Sequence, residues 1–108
     1  MRIIKIFIVV LLFSFSLTIN LKADSEKMVL GLEVFNNKAM CGTCHVLKAD
    51  GSTSDIGPNL DSLKPLEEQV RGVVTEGLGV MPAFGEEGLL TSEEIDAVSY
   101  YVTHSFEK

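Results

Sequence analysis

A small, single-domain, all-α fold is what this chain of 108 residues predicts. Three segments carry apolar residues at helical spacing, each with its own start or stop signal. The stretches between them are rich in Gly, Ser, Asp and Pro, and no run alternates apolar and polar residues as a strand would.

The first helix is expected from about Ser25 to Phe35, with Asp24 or Ser25 as its cap. Met28, Gly31, Leu32 and Phe35 share one face. A mid-helix glycine costs about 1 kcal/mol relative to alanine, so Gly31 implies that another helix approaches closely. A middle helix is expected to open at Pro65, with Glu67 and Glu68 in its first turn suiting the positive end of the dipole. Leu66, Val70, Val73 and Val74 form its apolar stripe, and Gly77 ends it. The last helix has the best start signal: Thr91-Ser92-Glu93-Glu94 is a capping box, with Leu90 and Ile95 placed as a hydrophobic staple. Ile95, Val98, Tyr101 and Val102 make its inward face. Residues 46–64 read as loop.

Residues 1–23 stand outside this fold. Arg2 and Lys5 precede an apolar stretch from Ile6 to Ile19, and Leu21-Lys22-Ala23 offers a small residue for cleavage. That order is the order of a secretory signal peptide. The apolar part is short of the roughly 20 residues a spanning helix needs, so removal after Ala23 and no stable membrane insertion are expected, with an uncleaved anchor as the alternative. Export points to an oxidising compartment such as a bacterial periplasm. Residues 24–108 then form one domain whose protein-only core is marginal, because a chain this size buries only about two-thirds of its unfolded surface. With Arg2, Lys5 and Lys22 removed, 6 basic residues face 15 acidic ones, a net charge of −9. That balance argues against nucleic acid and suits a protein partner with a basic docking patch, or simple solubility.

Chemistry concentrates in Cys41-Gly42-Thr43-Cys44-His45. Two thiols three positions apart can add across the two vinyl groups of one haem edge, and the histidine that follows can ligate the iron. Gly42 and Thr43 are small enough for the backbone to lie close to the porphyrin. A thioredoxin-like dithiol would want a βαβ context, and structural zinc a fourth ligand where His104 is the only other imidazole. One covalent haem c, with iron, is therefore the expected cofactor. Both cysteines belong to it, which leaves none for a disulfide.

The second axial ligand decides the chemistry. Met40 adjoins the attachment turn, Met28 belongs to the first helix face, and His104 reads as surface at the end of the last helix. Met81 lies in the apolar loop Gly77-Leu78-Gly79-Val80-Met81-Pro82-Ala83-Phe84-Gly85, whose glycines and proline define its path. It can hold a thioether over the ring, where a core methionine would fill a gap.

An early C-x-x-C-H after a short helix, the segment Gly57-Pro58-Asn59-Leu60, the Met81-Pro82-Ala83-Phe84 loop and a last helix with an aromatic–Val pair resemble the class I cytochromes c. The resemblance implies a cytochrome c fold, with N- and C-terminal helices crossing around a covalently bound haem. Gly31 and Phe35 would then meet Tyr101. It further implies that the Pro58 carbonyl accepts a hydrogen bond from His45, that Gly57, Asn59 and Leu60 border the pocket, and that His45 and Met81 are the metal ligands. Propionate partners are not implied by it; Tyr100 and Arg71 are the residues at hand. The stretch from Asp50 to Pro65 is also similar to that of small cytochromes accompanying periplasmic molybdenum sulfite dehydrogenases. The implied function is a periplasmic carrier of single electrons between redox proteins, without catalytic residues of its own. The alternatives are a fixed haem subunit of such a dehydrogenase and a five-coordinate gas-binding or peroxidase-type haem protein.

Overall fold

In the computed structural model, which describes residues 2–107 with the side chains of residues 13–19 left aside, the chain is helical and loop-linked throughout. Helix α1 spans Arg2–Glu33, α2 Leu60–Leu63, α3 Glu67–Glu76 and α4 Ser92–Thr103. Among the described residues there is no strand, only isolated bridges between Leu47 and Ser52 and between Leu78 and Met81. The all-α expectation holds.

The first helix departs from its expected start. It runs without a break from the leader, 32 residues in all, past Asp24 and Ser25. A capping side chain matters only where backbone N–H groups lack partners; here the turn before it is already helical. From Arg2 to Lys27 every described side chain is exposed, and packing begins at Met28. The projecting arm stretches the molecule to 65 × 31 × 21 Å. Of the apolar stretch Ile6–Ile19, residues 13–19 lie outside the described side chains. Among the described residues, no helix is long and apolar enough to cross a membrane.

At its far end α1 widens into a π-turn, Val34–Lys38, closed by the Ala39 N–H on the Val34 carbonyl at 2.9 Å. The insertion lets the consecutive Val34 and Phe35 both reach zero exposure. Lys38 leaves this turn to pair with Glu94 of α4.

α1 crosses α4 at Gly31, where a Cβ would collide with the Ala97 carbonyl and the Tyr101 Cβ. One turn further on, the Phe35 and Tyr101 rings tilt together at 5.7 Å between centroids. The thrifty explanation of Gly31, a close helix approach, is the correct one. α4 begins as expected: the Glu94 N–H donates to Thr91 Oγ1 at 3.2 Å and the Thr91 N–H to Glu94 Oε2 at 2.9 Å. Leu90 and Ile95 are both buried, as are Val98, Tyr101 and Val102. α3 starts two residues later than Pro65 predicts. Leu66 precedes it and its N–H is taken by the Gln69 side chain at 2.9 Å, so Leu66 is 62% exposed and drops out of the stripe. Arg71 joins α3 to α4 through Asp96 at 2.7 Å and to Glu67 at 3.2 Å. His104 is exposed at the end of α4, its ring stacked on Tyr100 at 3.8 Å with Lys27 over the other partner's face at 5.4 Å.

Residues 46–64 hold more structure than a loop reading allows. A 3-10 turn, Lys48–Asp50, and the short α2 lie within it. Buried Asp61 organises them, accepting the Lys48 N–H at 2.9 Å and the Glu107 N–H at 2.8 Å. The carboxylate thereby ties α2 to the turn and to the C-terminal tail.

Candidate functional site

Residues 41–45 wind tightly. Cys41–Thr43 form a 3-10 turn entered through Met40, which takes a left-handed φ of 50°. The Cys44 and His45 N–H groups both donate to the Cys41 carbonyl, at 3.1 and 3.0 Å. Side chains at i and i+3 eclipse in such a turn, so Cys44 follows Cys41 on the same side. Gly42 is small for a local reason: a Cβ there would come within 2.8 Å of Ser52 Oγ.

Burial, with the charge of Asp50 adding to it, pushes the Cys41 thiol up to about 12. A redox dithiol depends on a lowered thiol pKa, and burial acts on Cys41 in the opposite direction. Among the described residues no group of three His, Cys, Asp and Glu is arranged to hold a metal ion as structural zinc would require.

His45 is oriented from outside its own turn. Its Nδ1 lies 2.7 Å from the Pro58 carbonyl. A carbonyl can only accept, so Nδ1 carries the proton and Nε2 keeps the lone pair for a metal. Gly57 lies against the imidazole; a Cβ there would stand 2.6 Å from Cε1 and 2.9 Å from Nδ1. The segment is held in place by the Gly57 N–H on the Cys44 carbonyl at 2.6 Å and the Leu60 N–H on the Val46 carbonyl at 3.0 Å. Leu60 is buried in the core, whereas Asn59 is exposed and its side chain caps α2 by accepting the Ser62 N–H at 3.2 Å.

Met81 stands on a separate turn. Leu78 and Met81 exchange backbone hydrogen bonds of 3.2 and 3.0 Å around Gly79, whose φ is +58°. Gly77, at φ +76°, admits no side chain because Ala83 N and the Met81 carbonyl lie 2.9 Å from where its Cβ would sit. The Met81 side chain is half-buried and packs on the same core cluster as Cys41 and Met28. The expected residues thus fall into two groups, the attachment turn with its 57–60 strap and the Met81 turn, joined through the core. Two residues beside them, Asn36 and Asp50, carry no signal in the sequence, and neither does their link to Tyr101. Their link crosses up to 51 positions, and no local pattern signals it.

Paired thiols on one turn, an imidazole with Nε2 left for iron and a thioether on a glycine-bent turn fit the chemistry of haem. The class defined by this frame and donor set is the covalent haem protein with a small all-α fold. The family model described as cytochrome C oxidase, cbb3-type, subunit III, matches residues 28–102. The chain is similar to cytochrome c6 of Picosynechococcus sp. (strain ATCC 27264 / PCC 7002 / PR-6), 36% identical over 88 residues, with 71% of this chain and 72% of the relative covered. It is similar as well to cytochrome c6 of Microcystis aeruginosa, 35% identical over 82 residues, covering 72% and 96%. A solved structure, the c-type cytochrome SorU from Sinorhizobium meliloti, superimposes with a TM-score of 0.69 at 42% identity, covering 75% of this chain and 92% of that one. The chain belongs to the c-type cytochrome family, class I, and is a monohaem member of it. Membership brings one covalently bound haem c with its iron, and Cys41 to His45 carry the attachment motif. The match begins at Met28, where packing of α1 also begins.

Proposed function

We propose that this protein is an exported carrier of single electrons between redox proteins, in which His45 and Met81 would hold the iron. Haem c supplies one-electron Fe(III)/Fe(II) cycling when bound. The chain does the rest. Cys41 and Cys44 anchor the group as thioethers, and His45 offers Nε2 because Pro58 holds its other nitrogen. Such an outer bond makes an imidazole a stronger donor and restricts its rotation. Gly57 leaves the ring room, Leu60 and Asn59, the cap of α2, keep the strap in register, and Met81 supplies sulfur from a turn that two glycines bend. A second protein ligand leaves no open position for oxygen, peroxide or substrate, and no side chain has to act as acid, base or nucleophile. The observation that carries this reading is the 2.7 Å bond from His45 to Pro58.

Residues 1–23 act as a signal peptide cut after Ala23, leaving residues 24–108 in the periplasm, where Asp24 and Ser25 become the cap of a shortened α1. The partner presents a basic patch to the acidic surface. A molybdenum sulfite dehydrogenase is the donor favoured by the similarity of residues 50–65 to its companion cytochromes, whether as a shuttle or as a fixed subunit; copurification in high salt identifies the fixed form.

The ligand assignment is tested by spectroscopy of the holoprotein. The oxidised parent shows an iron–sulfur charge-transfer band, and its reduced form resists carbon monoxide. Met81→Ala loses the band and binds carbon monoxide at least about tenfold faster, because thioether ligation occupies the position. A parent that lacks the band and binds carbon monoxide at once would instead be the five-coordinate, gas-binding or peroxidase-type protein.

A further inference from the structure

One carboxylate beside the attachment turn has no part in the scheme above. Asp50 closes the Lys48–Asp50 turn, and its Oδ1 accepts from Asn36 Nδ2 at 2.9 Å and from the Tyr101 hydroxyl at 3.0 Å. Its Oδ2 accepts from the Ser52 hydroxyl at 3.4 Å. All three donors are neutral. Lys48, the nearest cation in sequence, points to Glu107 at 2.7 Å, and no ion pair among the described residues includes Asp50.

The position of this charge matters. Asp50 lines a surface cleft of about 340 Å³ whose other walls include Phe35, Gly42, Thr43 and Ser52, so the attachment turn is itself one side of the cleft. Its field reaches the attachment turn, because Gly42 and Thr43 share the cleft with it. The donors do not wander: Tyr101 is buried in the α1–α4 crossing, and Ser52 sits against Gly42. A half-buried carboxylate held by neutral dipoles has no opposite charge beside it and acts through a medium less screening than water.

We propose that Asp50 sets the reduction potential of the bound iron, its uncompensated charge beside the Cys41 turn favouring the oxidised form. The inference rests on the haem reading of the previous section. The oxidised centre carries one more positive charge than the reduced centre, so a fixed anion stabilises it more and lowers the potential. Asp50 touches no reacting atom; it acts through the field at the attachment turn.

The test is spectroelectrochemical titration of the purified holoprotein and two variants. Asp50→Asn keeps an acceptor oxygen and removes the charge. Asn36→Lys, at an exposed position, keeps Asp50 and brings an ammonium to it. At a fixed applied potential the ferric-to-ferrous ratio falls by about threefold or more in each, the order Coulomb's law gives for one charge acting through partly solvated protein. The iron–sulfur band persists in both, which excludes ligand loss as the cause. A merely structural role would lower the thermal midpoint and leave the ratio alone. A ratio equal to or above the parent's in both variants overturns the proposal. A parent chain without a covalent haem spectrum overturns the haem reading instead, so the two failures are distinguishable.

Discussion

Gly57 shows how far a single missing methyl reaches. The imidazole of His45 occupies the space a Cβ would fill, and the peptide after Gly57 turns the Pro58 carbonyl onto Nδ1 at 2.7 Å. Gly57→Ala is expected to push the ring aside, cost about 1–3 kcal/mol as overpacking does, and weaken the bond to Pro58. Thermal unfolding of the holoprotein should show the loss, and a raised potential should accompany it, because a weaker imidazole donor stabilises ferric iron less. An unchanged melting midpoint with an unchanged spectrum would show that the ring has another place to go. The attachment cysteines, His45 and the Met81 turn were legible one by one, because each is a short pattern with its own chemistry. Asp50 was not: a lone acid in a Gly- and Ser-rich segment looks like any solvated loop residue until Asn36 and Tyr101 arrive from elsewhere.

Among the elements, the crossing of α1 and α4 could be read from Gly31 and the aromatic pair, and the start of α4 from its capping box. Helix starts that depend on distant context could not. α3 opens after Leu66 rather than at Pro65 because Gln69 captures the Leu66 N–H, a contact no propensity encodes. The tie between α2, the Lys48 turn and the tail hangs on Asp61, whose carboxylate is held below its usual range, first by the backbone N–H of Lys48, then by that of Glu107. A carboxylate whose folded pKa lies below the unfolded one stabilises the native state at pH above the ordinary aspartate value. That contribution disappears as pH falls through the folded value. Asp61→Asn should therefore cost about 1.5 kcal/mol near neutrality, the typical worth of hydrogen bonds to a charged acceptor. The difference from the parent should vanish well below about pH 4, the ordinary aspartate pKa. Denaturant titrations across that window check it; a gap that stays constant in acid would assign the effect to shape rather than charge.

The whole molecule presents an acidic exterior and a projecting helix. Residues 24–108 carry a net charge of −9, so transfer from a basic partner should slow as ionic strength rises, by about tenfold or more from 0.01 M to 0.15 M salt, because the Debye length shrinks from about 30 to 8 Å. Stopped-flow reduction by a basic donor measures this, and a rate indifferent to salt would remove the charge argument. Contacts of this kind are small and transient, which suits a carrier that must leave its partner after each electron.

Local chemistry alone announced the cofactor, the helical class, the capped last helix and the glycine at the crossing, since each depends on residues within a few positions of one another. The bond from His45 to Pro58 was implied by the family resemblance and is made by packing, whereas the clamp at Asp61 and the charge of Asp50 beside the attachment turn came from packing alone. They join segments 13 to 51 positions apart, and only a folded backbone brings their donors and acceptors within reach.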